Sequence, residues 1–484
     1  MNTIAATIRP YLTIRWLALP ILLLAFCIVA CGGQPLEPWH TSKLSSEFTA
    51  KMSDEVSTFD EYLLLEDLLF QELQDEIYAD TPTGIEYALV RYSSGSLSDP
   101  NIRDPNFNRT FELRADSPRG GVLLLHGLTD SPYSLRALGE MLNELGFWVV
   151  GLRLPGHGTA PSALKYARWQ DMAAATRLAM DHLASMVGQS PIHIAGYSNG
   201  AALALDHALA SLDDASLPRP SSLILISPSI GVSAAAALAS PTATISKVPG
   251  LGRLAWAQTT PEFDPYKYNS FPVNGGAQAR SLTRSVANRI AALARSGQAA
   301  NMPPILVFKS AVDATVSIDA VVDRLLGRLP DNGNELVLFD INRFAVHSIL
   351  LVSDPGPITN RLMLDASLPF GITLIANEDP ASSAVVSRYK PPFTEKAELA
   401  IPLDLEWPQG IISLSHVALP FSPDDPLYGQ FRPQQKGVLY LGQIAIRGER
   451  GLLKLSNDWL LRLRFNPFYA VLENRVIEWV LTEN

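Results

Sequence analysis

Cysteine is almost missing from this 484-residue chain: Cys27 and Cys31 are the only two. Everything after residue 31 is therefore without a disulfide or a thiolate metal site. Charge is also sparse, with 18% Asp, Glu, Lys and Arg, against about 25% in ordinary globular domains. No run of Lys and Arg occurs. Net charge is −10, and residues 1–31 hold Arg9 and Arg15 with no acid, so the remainder carries −12. An acidic chain without a basic stripe lacks the electrostatic footprint of a nucleic-acid binder, so no nucleic-acid partner is expected. Walker loops, dinucleotide glycine patterns and metal-ligand spacings are absent, so neither a cofactor nor a metal is expected. Internal repeats are absent too. With 47% hydrophobic residues, the chain can bury a large core.

What is present begins at Gly196-Tyr197-Ser198-Asn199-Gly200. It follows the strand-like run Ile192–Ala195 and opens a small-residue helical run from Ala201. A G-x-S-x-G between strand and helix is a nucleophile elbow: the sharp turn strains the serine backbone, and glycines avoid collision with the neighbouring elements.

The N-terminus reads as an export signal. Arg9 and Arg15 precede an apolar core from Trp16 to Val29, which is short for a membrane span. Residues 32–52 read as a tether. Residues 53–78 carry Tyr62, Leu65, Leu68, Leu69 and Leu73 at helical spacing, predicting an accessory helix. An alternating strand at Phe111–Arg114 opens the body, and Val122–Leu125 reads as a strand buried on both faces. A helix capped by Ser131-Pro132 carries Leu135, Leu138, Leu142 and Leu145 inward and stops at Gly146. Strands are expected at Phe147–Val150, Ile192–Ala195, Leu223–Ile226, Ile305–Phe308 and Leu336–Phe339, with helices between most of them. That rhythm is a βαβ series with a mostly parallel central sheet. Residues 229–302 and 349–409 interrupt it. The first reads as a cap whose Trp256, Phe263, Tyr266, Tyr268 and Phe271 form either a wall for an acyl chain or ordinary cap core.

A serine nucleophile needs a histidine base and an acid to orient it, in the chain order Ser, acid, His. The acid belongs just past a strand end. Ser227-Pro228 offers none there, whereas Asp313 follows Ile305–Phe308 closely; Asp319 is the nearest competitor. Of eight histidines only His347 and His416 follow Asp313. His347 comes at the usual distance after strand 336–339, yet its surroundings read as a helix start. His416 ends the strand-like run Gly410–Ser415 before a loop rich in Pro and Asp, and is favoured over His347. His126, His157, His193 and His207 read as turn or packing residues. Two backbone N–H donors are required for an oxyanion, and they are expected from Asn199, after the nucleophile, and Leu128, after the first buried strand.

Together, His126-Gly127-Leu128, Leu154-Pro155-Gly156-His157-Gly158-Thr159, Trp169-Gln170-Asp171, the Ser198 elbow and Asp313-Ala314-Thr315-Val316 resemble the carboxylesterase and monoacylglycerol-lipase-like branch of the α/β-hydrolases. The resemblance covers residues 111–228 and 303–340. It implies an α/β-hydrolase fold over 111–484, a cap at 229–302, a further insertion at 349–409, and hydrolysis of a small-molecule or lipid acyl ester by a Ser198–Asp313–His416 triad. Acyl transfer and aminopeptidase chemistry fit the same triad, and a non-catalytic envelope binding lipoprotein is the reading from another class. Ile28-Val29-Ala30-Cys31-Gly32 resembles a bacterial lipobox, which implies cleavage before Cys31, acylation of its thiol, and membrane attachment in the cell envelope, with the outer membrane preferred. The segment Ser413–Phe421 resembles a stretch carried by bacterial lipoproteins of this group, and supports His416.

Overall fold

The computed structural model describes residues 35–231, 252–313, 316–346, 348–352, 354–434, 438–442, 446–447 and 461–482. The export signal, Cys31 and His347 lie outside the described residues. Its strands are β1 (Phe111–Leu113), β2 (Gly121–Leu125), β3 (Trp148–Leu152), β4 (Ile192–Tyr197), β5 (Ser222–Ile226), β6 (Trp256–Gln258), β7 (Phe271–Pro272), β8 (Ile305–Ser310), β9 (Glu335–Phe339), β10 (Gly371–Asn377), β11 (Ala384–Lys390), β12 (Ile401–Glu406), β13 (Ile446–Arg447) and β14 (Leu461–Arg462). Ten of them form one sheet in the order β1-β3-β2-β4-β5-β8-β9-β10-β11-β12. Neighbours from β3 to β10 run parallel, while β1, β11 and β12 pair antiparallel at the edges.

The continuous apolar strands follow from burial on both faces. Along β2, Leu123 and Leu125 enter one core while Val122 and Leu124 enter the other. The first core is closed by the helices Trp169–Val187, Asn199–Asp213 and Val273–Arg295, and the second by Arg136–Glu144 and Tyr469–Leu481. In Trp169–Val187 the buried Met172, Ala175, Thr176, Ala179, Met180, Leu183 and Val187 recur at three- and four-residue spacing.

Several expectations change. Ser131 does not cap: Pro132–Leu135 is a 3₁₀ turn before the α-helix, and the Ser131 side chain makes no cap bond. Leu68 is exposed on the accessory helix Phe59–Leu73, whose Thr58 and Glu61 form a capping box. Residues 229–302 are not all cap, because Val273–Arg295 buries Leu282, Val286 and Ile290 in the first core as the crossover to β8. The stretch 349–409 supplies a helix, Gly356–Leu364, and the strands β10, β11 and β12 that widen the sheet. Gly410–Ser415 is irregular rather than a strand. It is anchored instead by Asn342 just beyond β9, whose backbone N–H donates to Ile412 O at 2.7 Å and whose Nδ2 donates to Ile411 O at 2.9 Å.

The accessory region is tied to the body by buried Arg153, which donates from Nε to Glu66 at 2.9 Å and from a terminal nitrogen to Glu47 at 3.0 Å. Glu47 also accepts from Gly156 N–H at 2.9 Å, which fixes the Leu154–Thr159 turn. Among the described residues no helix is long and apolar enough to cross a membrane.

Candidate active site

Ser198 sits where β4 ends, at φ 54° and ψ −109°. A non-glycine residue there costs on the order of 1–3 kcal/mol and must be held by its surroundings. They do hold it: its N–H donates to Ile226 O at 2.9 Å, and its carbonyl accepts from Ser229 N–H at 3.1 Å. The flanking glycines are required by space. A Cβ on Gly196 would lie 2.6 Å from the Ala201 backbone, and one on Gly200 would lie 2.0 Å from Leu125 O.

The structure brings Ser198, His416 and Asp313 together. His416 Nε2 lies 3.1 Å from Ser198 Oγ, and Nδ1 lies 2.8 Å from Asp313 Oδ2. Asp313 follows β8, and its Oδ1 also accepts from Val316 N–H at 3.1 Å. Buried Lys309, within β8, donates to the same Oδ2 that faces His416. Burial opposes ionisation of Asp313, but the charges of His416 and Lys309 and their hydrogen bonds overcome it and hold the carboxyl well below the usual range. An ionised Asp313 can only accept, so Nδ1 carries the imidazole proton and Nε2 is left to accept from the serine hydroxyl. In this series of contacts a proton can pass from Oγ to Nε2. The Tyr197 hydroxyl donates to His416 O at 3.3 Å. Asp319 lies elsewhere, half exposed and paired with Arg361 at 2.8 Å.

Leu128 and Asn199 both line the cavity of about 270 Å³ that reaches Ser198 and His416. Asn199 is the first residue of its helix, where the backbone N–H has no intrahelical partner and the helix dipole is positive. The Leu128 N–H has no acceptor among the described residues. Its loop turns through Thr129 at φ 70°. His126 fixes that loop: Leu154 N–H donates to Nε2 at 3.1 Å, so Nδ1 donates to Gly127 O at 3.0 Å. Burial first, and the charge of His157 second, push its pKa well below the ordinary value, and it stays neutral.

Of the cap aromatics only Phe271 lines this cavity. Tyr266 stacks on Tyr133 at 3.9 Å, Trp256 meets His40 edge-on, and Tyr268 joins the main core, so these are packing residues. The segment at Lys267 and Tyr268 touches the Leu128–Asp130 loop: Lys267 donates to Asp130 at 2.7 Å, and Tyr268 N–H donates to Thr129 O at 2.8 Å. Sequence reasoning missed Lys309, Lys267 and Asn342. The lysine inside the apolar run Ile305–Phe308-Lys309 was a readable signal; the other two were not. Among the described residues no group of three or more His, Cys, Asp or Glu side chains is placed to hold a metal.

The parallel sheet, its two helical layers and a serine on a tight β4 turn make up an α/β-hydrolase fold. A family model described as "Serine aminopeptidase, S33" matches residues 116–351. A thermostable monoacylglycerol lipase from Bacillus sp. (strain H-257) is 34% identical over 85 residues, covering 18% of this chain and 33% of that protein. The chain thus spans about a third of the length of that curated relative. Among solved structures, the monoacylglycerol lipase of Paleococcus ferrophilus is 19% identical, covering 48% of this chain and 88% of its own, with a TM-score of 0.35. A soluble variant of the Saccharomyces cerevisiae monoglyceride lipase is 14% identical, covering 48% and 82%, also with a TM-score of 0.35.

Proposed function

We propose that the protein is a serine hydrolase of carboxylic esters, with Ser198 as nucleophile, His416 as base and Asp313 as the orienting acid. The observation that carries this reading is the single imidazole bridging Ser198 Oγ at 3.1 Å and Asp313 Oδ2 at 2.8 Å. His416 takes the hydroxyl proton as Oγ attacks the acyl carbonyl, and then gives it to the leaving alkoxide. The N–H groups of Leu128 and Asn199 receive the oxyanion. Water, deprotonated by the same base, releases the acid from the acyl-enzyme. Leu128, Phe271 and Ala279 give the cavity an apolar lining suited to an acyl chain. The likeness to the Bacillus monoacylglycerol lipase adds support for a lipid ester.

The family label favours a second reading, an aminopeptidase. Such an enzyme needs a carboxylate free to hold an α-ammonium, whereas Asp130, the carboxylate lining this cavity, is paired with Lys267. Acyl transfer uses the same steps with an alcohol in place of water, and product analysis with added acceptor separates the two.

The test is fluorophosphonate labelling followed by peptide mapping, with nitrophenyl esters and an aminoacyl-amide panel alongside. Covalent modification of Ser198 with ester turnover is expected. Folded protein that takes no label at Ser198 sinks the enzyme reading and leaves the binding lipoprotein. We also propose acylation of Cys31, which predicts palmitate incorporation that Cys31→Ser abolishes.

A further inference from the structure

Beside the cavity at Ser198 lies a smaller one of about 150 Å³ that shares Lys267 and Val417 with it. Its described walls carry Lys267, Arg462 and Arg464 with one carboxylate, Asp264, and Lys267 already donates to Asp130 at 2.7 Å. The carboxylate is already engaged: Asp264 Oδ1 accepts from Tyr428 OH at 2.6 Å, Tyr266 N–H at 3.0 Å and Lys267 N–H at 3.1 Å. Arg464 approaches its other oxygen only at 3.7 Å. The Arg464 side chain is 14% exposed, and its Nε is buried with no hydrogen-bond partner among the described residues. An orphaned guanidinium donor is costly, and a guanidinium fork is shaped for a carboxylate or phosphate.

We propose that this second cavity is a subsite for an anionic group on the alcohol half of the substrate. The enzyme then acts on esters that pair an apolar acyl chain with a phosphate- or carboxylate-bearing alcohol. The acyl chain occupies the cavity at Leu128, Phe271 and Ala279, the ester carbonyl sits over Ser198, and the anion reaches past Lys267 to Arg464. This rests on the hydrolase reading above. Hydrolysis breaks the acyl–oxygen bond, water supplies the hydroxyl of the acid, and the departing alcohol takes the proton and keeps its anion.

The test compares kcat/KM for a monoacylglycerol and its phosphate monoester of equal chain length, and for nitrophenyl butyrate and its carboxylated analogue. The wild type should prefer the anionic member of at least one pair, and which pair responds separates phosphate from carboxylate. Arg464→Gln should cut the anionic-to-neutral ratio by about tenfold or more, the scale of one charge-assisted hydrogen bond, and Arg464→Lys should restore part of it. Because Arg464 is largely enclosed, Arg462→Gln is run in parallel, with melting curves for each variant. A separate arm titrates glycerol phosphate and benzoate: at least one should raise Tm in the wild type and not in Arg464→Gln. No anionic preference, together with no Tm response to either probe, overturns the subsite. Protein that hydrolyses neither member of any pair counts against the hydrolase reading alone, since the melting arm still decides the subsite.

Discussion

Lys309 and Asp313 form an ion pair in which neither side chain reaches solvent. The lysine comes from the buried strand β8 and the aspartate from the turn that follows it, so the cation is fixed before the acid that needs it. Breaking an enclosed pair leaves an uncompensated charge and costs about 3–5 kcal/mol. Lys309→Met should therefore lower the urea midpoint markedly. It should also lower kcat, because Lys309 is one of the two cations that hold Asp313 ionised against its burial.

Exchanging the other members of the series tests which histidine is the base. His416→Ala should reduce kcat on nitrophenyl esters by about 10⁴-fold or more, and Asp313→Asn by about 10⁴-fold, through the wrong imidazole tautomer. His347→Ala should leave turnover near the wild-type value. Loss of turnover in His347→Ala with full activity in His416→Ala reverses the assignment.

The two glycine classes predict opposite severities. Gly200→Ala places a Cβ 2.0 Å from the Leu125 carbonyl oxygen, backbone against backbone. It should yield no folded protein at growth temperature. Gly188→Ala, at φ 63° with nothing within 4 Å of the new Cβ, should cost only about 1 kcal/mol in a melting experiment.

His193 supplies a pH signature for stability. Burial pushes its pKa down from 6.5 to about 4. Its Nδ1 is engaged with Ser222 Oγ at 2.8 Å, and its Nε2 has no hydrogen-bond partner among the described residues. The unfolded chain binds a proton below pH 6.5 that the folded chain refuses until about pH 4. Stability is thus fully present above the unfolded value and falls as pH drops through this window, by about 1.4 kcal/mol per unit for this one group. His193→Gln should reduce the slope of the urea midpoint against pH between those limits by this one group's share. An unchanged slope counts against a buried neutral histidine here.

What was legible in the sequence follows from how each feature is encoded. Strands such as Val122–Leu125 announce themselves because burial on both faces leaves no polar position, and Gly196 and Gly200 mark a turn that admits no Cβ. β10 and β11 were hidden because edge-ward strands tolerate polar residues such as Thr373, Ser387, Arg388 and Lys390, and the prolines around them read as loop. His416 could be reached by elimination, since only two histidines follow Asp313. Its setting could not: the segment before it is positioned by hydrogen bonds from Asn342, and an asparagine that grips a distant backbone looks like any other. Lys267 and Arg464 are silent for the same reason, because ordinary surface charges and charges turned into a cavity share one alphabet.

The grip of Asn342 on Ile411 and Ile412 has a consequence for how this chain can change. Both ends of the intervening segment are fastened at one point, so the path between them closes on itself. Lengthening the connections between its helix and strands costs little, about 0.6 kcal/mol for each doubling of a flexible loop. The segment is then a place where chain can be added, trimmed or elaborated into extra strands while the imidazole stays where it is. What looked like an interruption is a module that continues the sheet from β9 through β10 and returns to the body at Asn342.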